Sequence, residues 1–155
     1  KNMSFTPNHL YFDDVEVGQE WRSLGRTITE ADIVNFAGLS GDYNPIHTNA
    51  AYAATTRFGQ RVAHGLLGLS VVSGLATQVG FMGEMVEAFL DIEWKFREPV
   101  FPGDTIRAEL KITETKAARR LGGGIVSFEI TVRKQDGKQA ARGVWRLLFK
   151  SRELA

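Results

Sequence analysis

The sequence contains no cysteine. A disulfide framework, thiolate metal ligands and a cysteine nucleophile are therefore excluded. The chain has only three histidines, and they are too scattered along it to form a recognisable zinc-binding spacing. The composition thus predicts a protein that uses neither a bound metal nor chemistry through sulfur.

Neither sign of charge is in excess, and long apolar runs are missing. Lys and Arg total 19 against 18 for Asp and Glu, which gives a formal net charge of +1 at pH 7. Such a balance lacks the basic surface that holds a phosphate backbone, so we predict no nucleic-acid partner. The sequence also lacks the apolar stretch of about 18 residues that spans a membrane and the charged-then-apolar start of a signal peptide. We predict a cytoplasmic protein that does not bind a membrane.

Low-complexity segments, like-charge runs and repeats of about 20 to 50 residues are missing as well. Of the 155 residues, 43% are hydrophobic and 24% are charged, as in ordinary globular proteins. This length suffices for one hydrophobic core. We predict a single domain over residues 1–155.

The second half of the chain contains four blocks in which apolar and polar residues alternate, the pattern of strands buried on one face. The blocks lie within residues 88–97, 106–113, 126–132 and 145–149. The breaks between them carry proline and glycine, and Asp136-Gly137 is a strong hairpin signal. A fifth, poorly patterned strand is predicted within residues 19–28. In the first block the alternation assigns one face to a set of five apolar residues: Ala88, Leu90, Ile92, Trp94 and Phe96.

Three helices are predicted in the first half. Thr29 to Asp32 resembles a capping box and opens a short helix that Gly38 and Gly41 break. A second helix is predicted over residues 50–57 and a third, the longest, over residues 64–80, where apolar residues surround nearly the whole circumference. Such a helix is buried, and the predicted strands are long enough to curl around it. One buried helix wrapped by a curved antiparallel sheet is the α+β hot-dog fold.

The segment 36–47, between the first two helices, concentrates groups that can move protons. Asp42 and His47 lie five positions apart, with Asn44 and Pro45 between them. Since Pro45 fixes its own φ and biases Asn44 towards an extended conformation, a turn would bring carboxylate and imidazole to one water molecule. The alternative is a simple loop, because Gly-Asp and Asn-Pro are common turn dipeptides.

The start of the long helix offers a complementary feature. The first amides of a helix lack intrahelical acceptors and lie at its positive end, so the N–H of Gly65 can stabilise charge on a carbonyl oxygen. Without a Cβ, Gly65 lets a substrate carbonyl approach closely. The alternatives are tight packing for Gly65 and a capping or structural hydrogen bond for His64.

Four segments together resemble the MaoC-like dehydratases, which include the R-specific enoyl-CoA hydratases. They are Gly41-Asp42-x-Asn44-Pro45-Ile46-His47, Arg57-Phe58-Gly59, Ala63-His64-Gly65-Leu66-Leu67 and Phe96-x-x-Pro99-Val100-x-Pro102-Gly103-Asp104-Thr105. The resemblance implies a hot-dog fold, usually dimeric, that reversibly hydrates the trans-2 double bond of an acyl-CoA thioester to an (R)-3-hydroxyacyl-CoA. It also implies that Asp42 and His47 are the catalytic pair and that the amide of Gly65 holds the thioester oxygen.

This chemistry needs neither a metal nor an organic cofactor, because Asp42 and His47 can hold one water and exchange its protons. Which of the two acts as base is left open. We expect Asn44, His64 and Arg57 to bind substrate. The candidates for the CoA phosphates are four cations, and for each of them a solvated side chain is at least as good an alternative: Arg57, Arg61, Arg97 and Lys95. Which of them hold the phosphates is left open. Strand edges that would otherwise pair without control predict a homodimer.

Three other functions remain open. The first is hydration of a branched or dicarboxylic acyl-CoA. The second is a non-catalytic hot-dog subunit that binds acyl thioesters, against which the intact Asp42, His47 and Gly65 argue. The third, a thioesterase, gives no reason for the Asp-x-Asn-Pro-x-His set. Acyl chain length, direction, and CoA versus acyl carrier protein stay undetermined by sequence.

Overall fold

A computed structural model describes residues 9–152. The helices are α1 (Glu30–Ser40), α2 (Pro45–Thr48), α3 (Ala50–Ala54) and α4 (Gly65–Gln78). The strands are β1 (Glu20–Arg22), β2 (Arg26–Thr27), β3 (Val86–Phe96), β4 (Thr105–Ala118), β5 (Gly123–Lys134) and β6 (Gln139–Lys150). None of the helices in this part of the chain is long and apolar enough to cross a membrane.

All six strands form one antiparallel sheet in the order β1-β4-β5-β6-β3, with β2 also paired to β4. The predicted fifth strand is present but divided into β1 and β2. Ser23 lies at the division, where its N–H donates to the carbonyl of Ala108 and its hydroxyl accepts from the N–H of Ala108. The sheet with α4 on one face is the predicted α+β hot-dog architecture.

The core lies between α4 and one face of β4, β5 and β6. The alternation predicted for these three strands is confirmed, because every apolar residue of the predicted inner faces is at most 3% exposed. α4 packs against this face through Leu67, Val71, Val72, Leu75 and Ala76. The direction and start of α4 are therefore set by the sheet.

The alternation predicted for β3 is wrong in its first part. The pairing with β6 shifts between Phe89 and Asp91, so Phe89 lies opposite Leu147 and Ile92 opposite Trp145. Since directly opposed residues share a face, Phe89 lies on the inner face with Ile92, and its ring packs edge-on against Trp145 at 5.2 Å. A bulge supplies one extra residue and reverses the order of faces, which the period of a regular strand does not anticipate.

The prediction that α4 is buried all round is also wrong for this single chain. Leu66 is 62% exposed, and Ser70, Ser73, Gly74 and Thr77 lie on the same open side. The helix therefore packs through one face and leaves the other uncovered. The apolar residues around a helix show which of its faces can be buried. The sheet of one chain covers only one of the faces of α4.

The connection between β3 and β4, residues 97–104, is held at several points. Gly103 adopts φ 94° and donates its N–H to the carbonyl of Ile28. Asp104 forms an ion pair with Lys134 at 2.7 Å. Burial tends to raise the pKa of the Asp104 carboxyl, but hydrogen bonds from Gln135, Lys134 and the backbone hold that pKa below its ordinary value. These contacts hold the connection in one position relative to the sheet.

Candidate active site

The loop after α1 is shaped by its caps. α1 begins with the predicted capping box, runs through Gly38 and ends at Gly41, whose φ of 75° is the left-handed conformation that glycine adopts readily. Asn44 then caps α2 by accepting a hydrogen bond from the N–H of Ile46 at 3.1 Å, and Pro45 is the first helical residue. The sequence predicts a turn here, and the structure makes it a one-turn helix with Asp42 before it and His47 within it.

Asp42 and His47 are brought together as predicted. The Nε2 atom of His47 lies 3.9 Å from Oδ2 of Asp42. This separation is too long for a direct hydrogen bond, but an oxygen atom about 2.8 Å from each can bridge the pair. Asp42 is exposed, and His47 is half-buried. The pair therefore has the geometry to hold one water molecule.

A backbone carbonyl determines which nitrogen of His47 faces Asp42. Nδ1 lies 2.7 Å from the carbonyl oxygen of Val62. Because a carbonyl oxygen can only accept, Nδ1 must carry the hydrogen, and in the neutral ring Nε2 is left with its lone pair. Neutral His47 consequently presents a proton acceptor towards the carboxylate of Asp42.

His64 contacts both members of the pair. Its side chain is 2% exposed, and its Nε2 lies 2.9 Å from the carbonyl oxygen of Asp42, to which it donates. Its ring stacks on that of His47 with centroids 3.9 Å apart and lies 5.0 Å from Phe36. Nδ1 of His64 is buried and has no partner among the described residues. The structural hydrogen bond considered for His64 is present, and its contact with substrate stays a prediction.

His64, which lies 17 positions after His47 in the sequence, is a neighbour of both Asp42 and His47 here. Donor atoms of Asp42, His47 and His64 lie within 4.8 Å of one another, a grouping that could hold a metal ion. The sequence spacing of the histidines did not anticipate this. One nitrogen of each imidazole already faces a carbonyl oxygen, so each ring has only its other nitrogen left to offer a metal. The absence of a metal stays a prediction.

A cavity of about 500 Å³ opens beside this group. Its lining includes His47, His64, Gly65 and Arg57, and most of the remainder is apolar, with Phe58, Trp94 and Val100 among the lining residues. Arg57 is exposed, and its guanidinium lies 4.8 Å from the ring centroid of Phe58. The cavity thus combines a largely apolar lining with a few polar side chains.

Asp42 and Asn44 are not among the cavity-lining residues. Asp42 faces His47, and the carbonyl oxygen of the Asn44 side chain is engaged in the cap of α2. The observed role of Asn44 is therefore to hold the helical turn that carries His47. Its direct contact with substrate stays a prediction.

Gly65 begins α4 at the cavity, and its surroundings explain the glycine. A Cβ at this position would lie 2.8 Å from the ring of Phe96. Tight packing, the alternative considered for Gly65, is therefore present, although the ring belongs to a side chain that is 57% exposed. The role of the Gly65 amide stays a prediction.

Two contacts of the site had no signal in the sequence. Val62 contributes a backbone carbonyl, and every residue type has one. Phe96 belongs to the motif but reaches Gly65 only through the folding of β3 against α4. Neither contact can be found from spacing along the chain.

Residues 14–134 match the family model of the MaoC like domain, and the chain belongs to this family. The chain is similar to the (R)-specific enoyl-CoA hydratase of Rhodospirillum rubrum, with 43% identity over 104 residues, 66% of this chain and 69% of that protein. The family predicted from the sequence is confirmed.

Two solved structures share the fold over most of their length. One is a monoamine oxidase regulatory protein from Archaeoglobus fulgius, with a TM-score of 0.86, 34% identity and coverage of 93% of this chain and 97% of that chain. The other is the unliganded R-hydratase of Pseudomonas aeruginosa, with a TM-score of 0.78, 34% identity and coverage of 92% and 87%. The hot-dog fold predicted from the sequence is confirmed.

The carbonyl contacts predict opposite tautomers for the two stacked histidines. With neutral rings, His47 should carry its hydrogen on Nδ1 and His64 on Nε2, because each of these atoms faces a carbonyl oxygen. A long-range ¹H–¹⁵N correlation spectrum of the imidazoles distinguishes the two forms. Observation of His47 with its hydrogen on Nε2 would show that the Val62 carbonyl does not orient the ring.

Proposed function

We propose that this chain is a hydro-lyase that adds water reversibly to a trans-2-enoyl-CoA and forms the (R)-3-hydroxyacyl-CoA. The observation that carries the proposal is the 3.9 Å separation of His47 Nε2 and Asp42 Oδ2 beside a largely apolar cavity. Membership of the MaoC-like family and the 43% identity with an (R)-specific enoyl-CoA hydratase support it. Enoyl-CoA hydratase and 3-hydroxyacyl-CoA dehydratase are the two directions of this reaction.

The proposed mechanism begins with one water between Asp42 and His47. Both groups are acceptors when Asp42 is ionised and His47 is neutral, so the water donates one hydrogen to each and keeps a lone pair for C3 of the substrate. As the C3–O bond forms, one of the two groups takes a proton from the water. The electrons of the double bond move onto the thioester oxygen.

The second half of the reaction uses the start of α4. The N–H of Gly65 at the positive end of the helix stabilises the enolate oxygen. The group that took the proton then returns it to C2, which restores the thioester and regenerates the pair. Every proton and electron pair is accounted for without a cofactor.

The cavity suggests how substrate lies. Its apolar lining accommodates an acyl chain, while Arg57 beside it offers a cation to the CoA phosphates. His64 contributes by holding the carbonyl of Asp42 and the ring plane of His47.

We also propose that the protein is cytoplasmic and that the chain forms one domain.

Substitution of either member of the pair tests the assignment. Asp42→Asn and His47→Gln should each lower kcat by about two to four orders of magnitude, the usual contribution of a positioned acid or base. Loss of enoyl-thioester absorbance over trans-2-enoyl-CoAs of several chain lengths measures this. Asp136→Asn, at the exposed β5–β6 turn, is the matched control and should retain full activity. A wild-type protein that hydrates none of these substrates would refute the proposed function.

The stereochemistry tests the shared water separately. If one water on one side of the enoyl plane supplies both the hydroxyl at C3 and the proton at C2, then addition is syn. Reaction in deuterium oxide, with assignment of both centres, should give the syn product with the R configuration at C3. Anti addition would refute the shared water, whereas a syn product with an S alcohol would refute only the substrate orientation.

We propose further that the protein is a homodimer whose sheets join along β3. Among residues 9–152, β3 pairs only with β6. It also exposes large apolar side chains, with Phe89, Leu90 and Ile92 each between 42% and 45% exposed. An unpaired edge with apolar side chains favours pairing with an identical edge, because a second copy presents the same complementary groups.

Sedimentation velocity at micromolar concentration should therefore give twice the mass of one chain. Leu90→Lys should shift the protein towards the monomer by placing a charge in the interface. Leu24→Lys is the matched control, because Leu24 is 86% exposed in the connection between β1 and β2. A wild-type protein that sediments only as a monomer would contradict the dimer.

A further inference from the structure

A buried ion pair lies beside the site without lining the cavity. Nζ of Lys134, the last residue of β5, is 2.7 Å from Oδ2 of Asp104, and the two side chains are only 9% and 12% exposed. Lys134 also donates to the carbonyl oxygen of Pro99 at 3.0 Å. Oδ2 of Asp104 accepts from the N–H of Phe101, and Oδ1 accepts from Gln135. The hydrogen bonds of the pair thus fix the connection 97–104.

Stability alone is a weak explanation for this pair. Removing two charges from water is costly, and apolar residues of similar volume often give an equally stable protein. An ion pair differs from apolar packing in that its hydrogen bonds impose direction. In this chain the hydrogen bonds of the pair are directed at main-chain groups, the carbonyl oxygen of Pro99 and the N–H of Phe101.

The fixed connection is bonded in turn to the segment that carries the site. The carbonyl oxygen of Val100 accepts from the N–H of Ala63 at 2.8 Å. Ala63 is followed directly by His64 and Gly65, and it is preceded by Val62, whose carbonyl orients His47. A continuous path of hydrogen bonds and peptide bonds therefore links Lys134 to the imidazole of His47 and to the amide of Gly65, the first of α4.

We infer that Lys134 and Asp104 are positioning residues for the proposed hydration. They fix Pro99 and Phe101 so that Val100, between them, holds Ala63, and Ala63 holds the Val62 carbonyl and the Gly65 amide in place. The inference rests on the proposed function for its kinetic consequence. Its structural consequence, an ordered Ala63 amide, does not depend on that function.

Lys134→Met is the first test. Since small displacements of reacting groups reduce turnover sharply, kcat should fall about ten- to a hundredfold. KM should change by less than about threefold, because misplacement affects the transition state more than the ground state. Lys134→Arg, which can still pair with Asp104, should restore most of kcat. Lys111→Met breaks an exposed pair with Glu20 on β1 and should leave kcat unchanged.

Amide hydrogen exchange gives a readout independent of turnover. In Lys134→Met the Ala63 amide should exchange at least about tenfold faster, because Val100 no longer holds it firmly. The amide of Phe128, at the centre of the sheet, should keep its exchange rate and so reports that the whole chain has not opened. The exchange rate of the Ala63 amide therefore tests the positioning role of Lys134 even if the wild-type protein hydrates no enoyl-CoA.

Removal of Lys134 alone leaves a buried carboxylate unpaired, which can prevent folding. The double variant Lys134→Met/Asp104→Asn removes both charges at nearly constant volume. It should fold, with the same losses of kcat and of Ala63 protection as Lys134→Met. A folded double variant with wild-type kcat and unchanged exchange of Ala63 would overturn the inference.

Discussion

The burial of one face of α4 in the sheet is the constraint on which the rest of the structure depends. That face is apolar, and the long strands offer it an almost fully buried apolar surface. Because the helix is held by packing along its length, its first residue is held too, and this residue, Gly65, has a free amide and lines the cavity. A polar site is thereby placed by an apolar contact.

The chemistry of the site depends in turn on main-chain oxygens. Each histidine of the stacked pair uses one nitrogen on a carbonyl, Val62 for His47 and Asp42 for His64. These contacts fix tautomers, and the tautomer decides which nitrogen of each ring can accept a proton. The loop, the helix start and the β3–β4 connection act as one unit because the same short segment around Ala63 touches all three.

The sequence predicts those parts of the molecule that follow from local patterns. The faces of β4, β5 and β6 were predictable, since burial on one side requires alternation. The helix cap at Thr29 was predictable because capping depends on residues three positions apart. The proximity of Asp42 and His47 was predictable because Pro45 restricts the short turn between them.

Other features depend on contacts between distant segments, and no local pattern contains them. The bulge in β3 changes which residues face the helix, and the open side of α4 shows only when the extent of the sheet is known. The neighbourhood of His47 and His64 joins residues 17 positions apart. The contact of Phe96 with Gly65 likewise appears only in three dimensions.

Because of the bulge at Leu90, the packing of β3 depends on the number of residues in the strand as well as on their types. Substitutions along the strand alter one side chain at a time. Deletion of the extra residue would instead turn over every residue on one side of it, so that Phe89 would leave Trp145 or Trp94 would leave the cavity. Homologous chains that gain or lose residues can therefore do so readily in turns, whereas within this strand a single insertion or deletion needs a second, compensating one.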